Sequence, residues 1–321
     1  MANKTTISNL NGFSWTSLLL FSLFMGCQKN EKSGFELMAI GDLPYHLPED
    51  FTRFDRLIDN LNEYRPNLTL HVGDIKSGSS PCNDEYYKKI LSYFQKFEHP
   101  LIYTPGDNEW TDCHREVAGN YNPEERLDKL RQLFFSKSQS QGKPLPLKTQ
   151  NQFEGFEKFV ENAYWETKQV SFGTFHVIGS NNNLKLNSAA LNDEFYEREM
   201  ANLFWLDHIF ESAKSLDHHG VVLVLHAALN FNDSGNTNGH QSFVSSLREK
   251  TMAYQNPVLL VYGDHHQFLV HKPFRGRDGK VLTNFTAVQV FGDRDMHAVR
   301  IRVNPENPGL FSINPHYVAG N

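Results

Sequence analysis

The chain has 321 residues, of which 39% are hydrophobic and 13% aromatic, and its 31 Lys and Arg against 37 Asp and Glu leave a formal charge of −6. That is enough apolar material for a sizeable core, and the acidic balance argues against nucleic acid or an anionic lipid surface as an electrostatic partner. No internal apolar stretch reaches the ~20 residues of a membrane-spanning helix.

The N-terminus departs from this globular pattern. Lys4 precedes a short apolar run over 13–25 (FSWTSLLLFSLFM), followed by Gly26-Cys27 and the polar stretch 28–34. A run of this length ending at a small residue is expected to direct export, not to span a bilayer. Leu23-Phe24-Met25-Gly26-Cys27 resembles a bacterial lipoprotein signal, which would make Cys27 the acylated first residue of the mature chain. An ordinary cleaved signal and an uncleaved anchor are the alternatives. All three place the body outside the cytoplasm. The expected organisation is a signal peptide over 1–27, a flexible tether over 28–34 and a single domain over 35–321. The membrane is met only through the lipid on Cys27, in the periplasm or on the cell surface.

The body begins with an apolar strand over 35–40 (FELMAI) that runs into Gly41-Asp42. Residues 51–64 have helical spacing, with Phe54, Leu57, Ile58 and Leu61 on one face. A strand over 68–72 (LTLHV) ends at Gly73-Asp74, a helix is expected over 86–97, and a strand over 100–104 (PLIYT) ends at Pro105-Gly106-Asp107. Alternating strands and helices of this kind indicate an α/β protein. A helix over 123–135 opens on a proline, and the polar stretch 136–155 is a surface excursion. A strand over 170–178 leads into Gly179-Ser180-Asn181-Asn182-Asn183, and 194–213 is an amphipathic helix. Buried strands follow over 221–225, ending in His226, and over 258–262, ending in Gly263-Asp264-His265-His266. The remainder, with strands over 268–270, 281–290 and 297–303, has the pattern of hairpins. Cys82 and Cys113, an even pair in an exported chain, are expected to form a disulfide; with no CxxC spacing, metal ligation by these thiols is the weaker alternative.

Ionisable side chains thus recur just past the ends of buried strands, where ligand sites of α/β sheets lie. One such Asp is usually a turn residue or a helix cap; five such loops in order point to a shared crevice. Their order and intervals resemble the calcineurin-like metallophosphoesterase superfamily, whose motifs are DxH, GDxxxG, GNHE or GNHD, a lone His after a strand, and GHxH. Gly73-Asp74-Ile75-Lys76-Ser77-Gly78 matches the second motif and His226 the fourth. Elsewhere the chain departs from the pattern. Pro44 stands in the place of a metal-binding His, with Tyr45 and His46 the candidates to compensate. Asp107 replaces the usual Asn, Asn108 the His that assists the leaving group, and Asp264 the first His of the last motif.

The resemblance implies a four-layer αββα sandwich of two mixed sheets. The element pattern alone would equally allow one doubly wound sheet. It further implies two metal ions (Mn, Fe, Mg, Ca or Zn), one held by Asp42, Asp74 and His266, the other by Asp74, Asp107, His226 and Asp264. The implied activity is metal-dependent hydrolysis of small phosphate mono- or diesters by a metal-bridging hydroxide. With Asn108 at the assisting position, His114 or His265 could supply the leaving-group proton. Arg115, Arg126 and Arg131 are candidates for phosphate contact, and Asn182 for reaching the crevice. The alternative is a catalytically impaired, metal-binding surface lipoprotein that acts as a binding module.

Overall fold

The computed structural model describes residues 34–187, 192–231, 235 and 237–321. The expected signal peptide, Cys27 and tether residues 28–33 lie outside the described residues. Three strands open the body: β1 (Phe35–Ile40), β2 (Leu68–His71) and β3 (Pro100–Tyr103). They pair in parallel, and β1 is flanked by the antiparallel β12 (Ala298–Val303). With β4 (Gln141–Gly142) and β13 (Phe311–His316) they form a six-stranded sheet of order β13-β12-β1-β2-β3-β4. The second sheet has the order β10-β11-β9-β8-β7-β6-β5. Its strands are β5 (Lys148–Thr149), β6 (Ala163–Thr167), β7 (Val170–Thr174), β8 (Gly220–Val224), β9 (Val258–Tyr262), β10 (Leu269–His271) and β11 (Phe285–Gln289).

Strands buried on both faces read as unbroken apolar runs, and alternation decides what each side chain meets. Leu37 and Ala39 of β1 pack between the sheets with Val222, Val224 and Val261, while Met38 and Ile40 face the helices. On the other sheet Val221 and Leu223 face outward against Trp205 and Ile209. Helices α1 (Glu49–Tyr64), α2 (Asp84–Phe94) and α3 (Pro123–Phe134) cover the first sheet; α5 (Asp193–Ser215) and α6 (Gln241–Tyr254) cover the second. The result is helix, sheet, sheet, helix: the four-layer arrangement. α1 stops where Arg65 turns left-handed before Pro66. Asn83 and Asn122 cap α2 and α3 by accepting backbone N–H bonds. No described helix is long and apolar enough to cross a membrane.

The last third is a set of hairpins only in part: β10 pairs antiparallel with β11 and β12 with β13, but the strands also join others. β11 lies parallel beside β9, with Val288 opposite Val261, and β12 returns to the first sheet to pair with β1. Val288 points between the sheets and Ala287 toward the helices, so β11 needs cover on both faces and is drawn into the sheet interior. The strand expected over 170–178 ends at Thr174. Beyond it, Gly179–Asn182 forms α4, a single turn in which Ser180, Asn181 and Asn182 have φ of 47°, 53° and 52°, and Asn183 continues at 61°. This turn is left-handed.

Candidate metal centre

The parallel strands of both sheets direct their C-terminal ends to one edge. The chain turns sharply there: Asp42, Asp74, Asp264 and His266 have φ of 56°, 54°, 77° and 57°. Short polar residues tolerate this conformation best, and strained backbone of this kind gathers at functional sites. Gly73, at φ 100°, has no substitute, because a Cβ there would lie 2.6 Å from Gly106 N and 2.9 Å from His226 Nδ1.

His226 stands at the centre, fully buried. Its Nε2 lies 3.1 Å from Asp107 Oδ1, 3.5 Å from Asp74 Oδ1 and 3.9 Å from Asp264 Oδ1. Its Nδ1 is 3.0 Å from the Val72 carbonyl, which can only accept, so Nδ1 carries a proton and Nε2 faces the carboxylates. Asp42 Oδ1 lies 4.0 Å from His226 Nδ1 and 3.7 Å from His266 Nε2. Two groups, Asp42–Asp74–His226 and Asp107–His226–Asp264, each offer ligand atoms within 4.8 Å of one another. His226 is therefore common to both, where the family pattern makes Asp74 the bridge.

The electrostatics call for a cation. Burial pushes the Asp42 carboxyl up to about 7, against the pull of His226 and His266. Burial, then the carboxylates of Asp107, Glu109 and Asp42, raise Asp74 despite His226. Burial alone would lower His226, but Asp74, Asp107, Asp264 and Asp42 hold its pKa well above the ordinary value. Asp107 goes the other way, to about 2, because its bonds to His226 and the Ser180 hydroxyl outweigh its burial. Four carboxylates around one imidazole have negative charge to spare in a poorly solvated place. Their oxygen-rich donor set fits hard divalent cations.

Neighbouring side chains hold this constellation. The Tyr45 hydroxyl donates to Asp74 Oδ2 at 2.6 Å and accepts from Asn108 Nδ2 at 2.9 Å. Asn108 also donates to Asp74 from its side chain at 2.6 Å and its backbone at 3.0 Å. Buried Glu109 ties two loops together by accepting from the backbone N–H of Asp74 and Gly106 and from the Tyr103 hydroxyl. Lys76 places its ammonium on the Ser77 and Asn108 carbonyls. Cys82 and Cys113 are disulfide-bonded, Cα–Cα 5.7 Å, joining the loops that follow β2 and β3.

Other sequence candidates lie elsewhere. His114 is exposed with Nδ1 on the Thr111 carbonyl at 2.6 Å, and His265 is exposed at the rim. Arg115 pairs with Asp112 at 2.8 Å and flanks Gly78 together with Asn108, so it stays at the edge of the centre. Arg126 is a correction: it is buried and engaged by Asp84, Glu125 and the Cys82 carbonyl. Arg131 is likewise bound to the buried Glu161 at 2.7 Å. Asn182 does not reach the crevice, since its side chain joins Arg198 and the Gly239 carbonyl. His46 bonds Asp293 at 2.8 Å, so it does not take the place of the missing ligand.

Sequence reasoning missed Ser180 and Asp293, and placed Glu109 in the loop after β3 without giving it a role. No local signal marks Ser180. Asp293 carried one: Val290-Phe291-Gly292-Asp293 repeats the apolar strand followed by Gly-Asp seen at the other loops. The hairpin reading hid it.

The family model for calcineurin-like phosphoesterases matches residues 35–268. Among solved structures, a dimetal phosphatase from Danio rerio is similar at TM-score 0.55 and 11% identity, covering 89% of this chain and 96% of that one. GAP50, the anchor in the inner membrane complex of Plasmodium, is similar at TM-score 0.50 and 11% identity, covering 90% of each chain. At such identities the likeness is one of fold. No curated protein sequence matches the chain.

Proposed function

Since the chain belongs to the calcineurin-like phosphoesterase family, whose members are metal-dependent phosphoester hydrolases, we propose that it cleaves small phosphate mono- or diesters at a centre for two cations. The observation that carries this is the convergence of Asp42, Asp74, Asp107 and Asp264 around the His226 ring, with His266 beside Asp42. When bound, paired cations lower the pKa of the attacking water and neutralise charge on the phosphoryl group. The chain's own residues do the rest. The carboxylates orient the ions, and Tyr45 and Asn108 fix Asp74 by hydrogen bonds. Arg115, half-exposed next to Asn108, is the side chain we assign to hold a substrate phosphate oxygen. We further propose that residues 1–27 export the protein and that Cys27 anchors it, on the strength of the apolar run over 13–25 and the Gly26-Cys27 pair.

The test is metal analysis of protein beginning after Cys27, with hydrolysis of p-nitrophenyl phosphate and its bis-ester in Mn, Fe or Mg. Wild type should bind metal and turn over; folded Asp74→Ala should lose on the order of 10²-fold or more, beyond the loss usual for a residue that only supports a ligand. Equal turnover by the variant would refute the assignment of the centre. One observation favours a binding module instead: Asn108, at the position of the assisting His, has its amide bound to Tyr45 and Asp74. Metal uptake without turnover of either ester would establish that reading.

A further inference from the structure

We infer that Asp293, in the loop after β11, is the positioning residue that sets the tautomer and orientation of His266 toward a cation beside Asp42. The inference rests on the metal-centre reading above. Asp293 Oδ1 lies 2.6 Å from His266 Nδ1. An ionised carboxylate can only accept, so the proton sits on Nδ1 and the lone pair of Nε2 faces Asp42 Oδ1, 3.7 Å away. The second oxygen, Oδ2, accepts from His46 Nε2 at 2.8 Å. Both carboxylate oxygens are thus committed to imidazole rings.

The backbone around Asp293 is fixed as firmly as its side chain. Arg53 of α1 donates to the Asp293 carbonyl at 2.8 Å and to the Arg294 carbonyl at 2.7 Å, and pairs with buried Asp50 at 2.9 Å. Asp50 in turn accepts from the backbone N–H of Tyr45 and His46 at 2.9 and 2.7 Å. The first turn and a half of α1 therefore locks the loop after β1 onto the loop after β11. Gly292 allows the close approach: a Cβ there would lie 2.5 Å from His266 Cβ and 2.7 Å from its Cα and Cγ. His266 itself sits at φ 57°, in the left-handed region that few non-glycine residues adopt, histidine more readily than most. A surface ion pair would need none of this. A carboxylate behind a ligating imidazole is the usual device for fixing its tautomer and raising its basicity.

The test titrates Mn2+ into wild type, Asp293→Asn, Asp293→Glu and Asp293→Ala, reading the number and affinity of bound ions by electron paramagnetic resonance. Long-range 15N–1H spectra of the metal-free proteins read the His266 tautomer. Asp293→Asn keeps the shape and removes the charge; it should weaken one of two Mn2+ equivalents by about 10–100-fold, with partial recovery in Asp293→Glu. Asp293→Ala should show the Nε2-protonated tautomer of His266, absent from wild type. Wild-type affinity in Asp293→Asn and an unchanged tautomer in Asp293→Ala would overturn the inference. If Asp293→Ala fails to fold, the isosteric Asn variant decides. If wild type takes up no Mn2+, the metal-centre reading fails and the positioning role toward a cation falls with it, while the tautomer spectra still report whether Asp293 controls the ring.

Discussion

At the scale of single residues, backbone conformation shapes the centre as much as side-chain chemistry does. Gly179 lies against the carboxylates from the far side: a Cβ there would stand 2.9 Å from Asp264 Oδ1 and 3.0 and 3.1 Å from the oxygens of Asp107. Gly179→Ala should therefore push both carboxylates aside and cut Mn2+ affinity by roughly 10-fold or more, on the scale of losses from disturbed ligand support. Far-UV circular dichroism should stay unchanged. A variant that binds Mn2+ like wild type would show that the carboxylates have slack. Asp42, Asp74, Asp107, His226 and Asp264 were legible because each follows an apolar run, four of them directly after a glycine. Arg126 was misread because sequence cannot tell a cation facing a crevice from one turned back onto Asp84 and Glu125.

At the scale of elements, α5 holds the left-handed turn in place. Arg198, fully buried, donates to the His176 carbonyl at 3.1 Å, the Asn182 carbonyl at 2.9 Å and the Asn182 side chain, and pairs with Glu194. Left-handed backbone costs roughly 1–2 kcal/mol per non-glycine residue, so four such residues in a row need this support. Arg198→Ala should destabilise the protein by about 2–4 kcal/mol, because it frees the turn and leaves the half-buried Glu194 carboxylate with the Asn183 amide but no cation. Urea unfolding measures it, and a loss below about 1 kcal/mol would mean the turn holds itself. Asparagine favours this conformation, yet nothing in Gly-Ser-Asn-Asn-Asn announces a turn whose anchor lies on the following helix. Glu161, beside it, gives a pH prediction. Burial alone would raise its carboxyl, but Arg131 and His176 outweigh that and hold it far below the ordinary range. A depressed folded-state pKa stabilises at neutral pH and loses that contribution as pH falls below the usual carboxylate value, near 4.3. Glu161→Gln should thus flatten the acid limb of the stability curve; an equally steep limb would assign it to other groups.

At the scale of the whole molecule, the alternation of strands and helices was readable from the residues, whereas the division into two sheets followed only from the family resemblance. Buried strands look alike in either arrangement, and only the return of β12 to β1 closes the first sheet. The same packing makes metal and fold interdependent. Asp42, Asp74 and His226 all bind protons more tightly in the fold than in the open chain. Metal-free protein should accordingly lose the Asp42 contribution as pH rises from the carboxylate range to about 7, and the His226 contribution only above the usual imidazole value, near 6.5. Cations displace those protons. Mn2+ at 100-fold its Kd should add about 2.7 kcal/mol per site, and the gap in melting temperature between Mn2+ and chelator should be wider at alkaline than at acid pH. A gap independent of pH would detach cation binding from these groups.

The Cys82–Cys113 bridge joins positions 31 apart in the chain, and the segment it closes contains Asp107 and begins shortly after Asp74. On loop-entropy grounds such a cross-link is worth about 4 kcal/mol. Dithiothreitol, a routine additive, should therefore act at a distance: without touching substrate, it would ease unfolding of the region that carries two of the acidic loops.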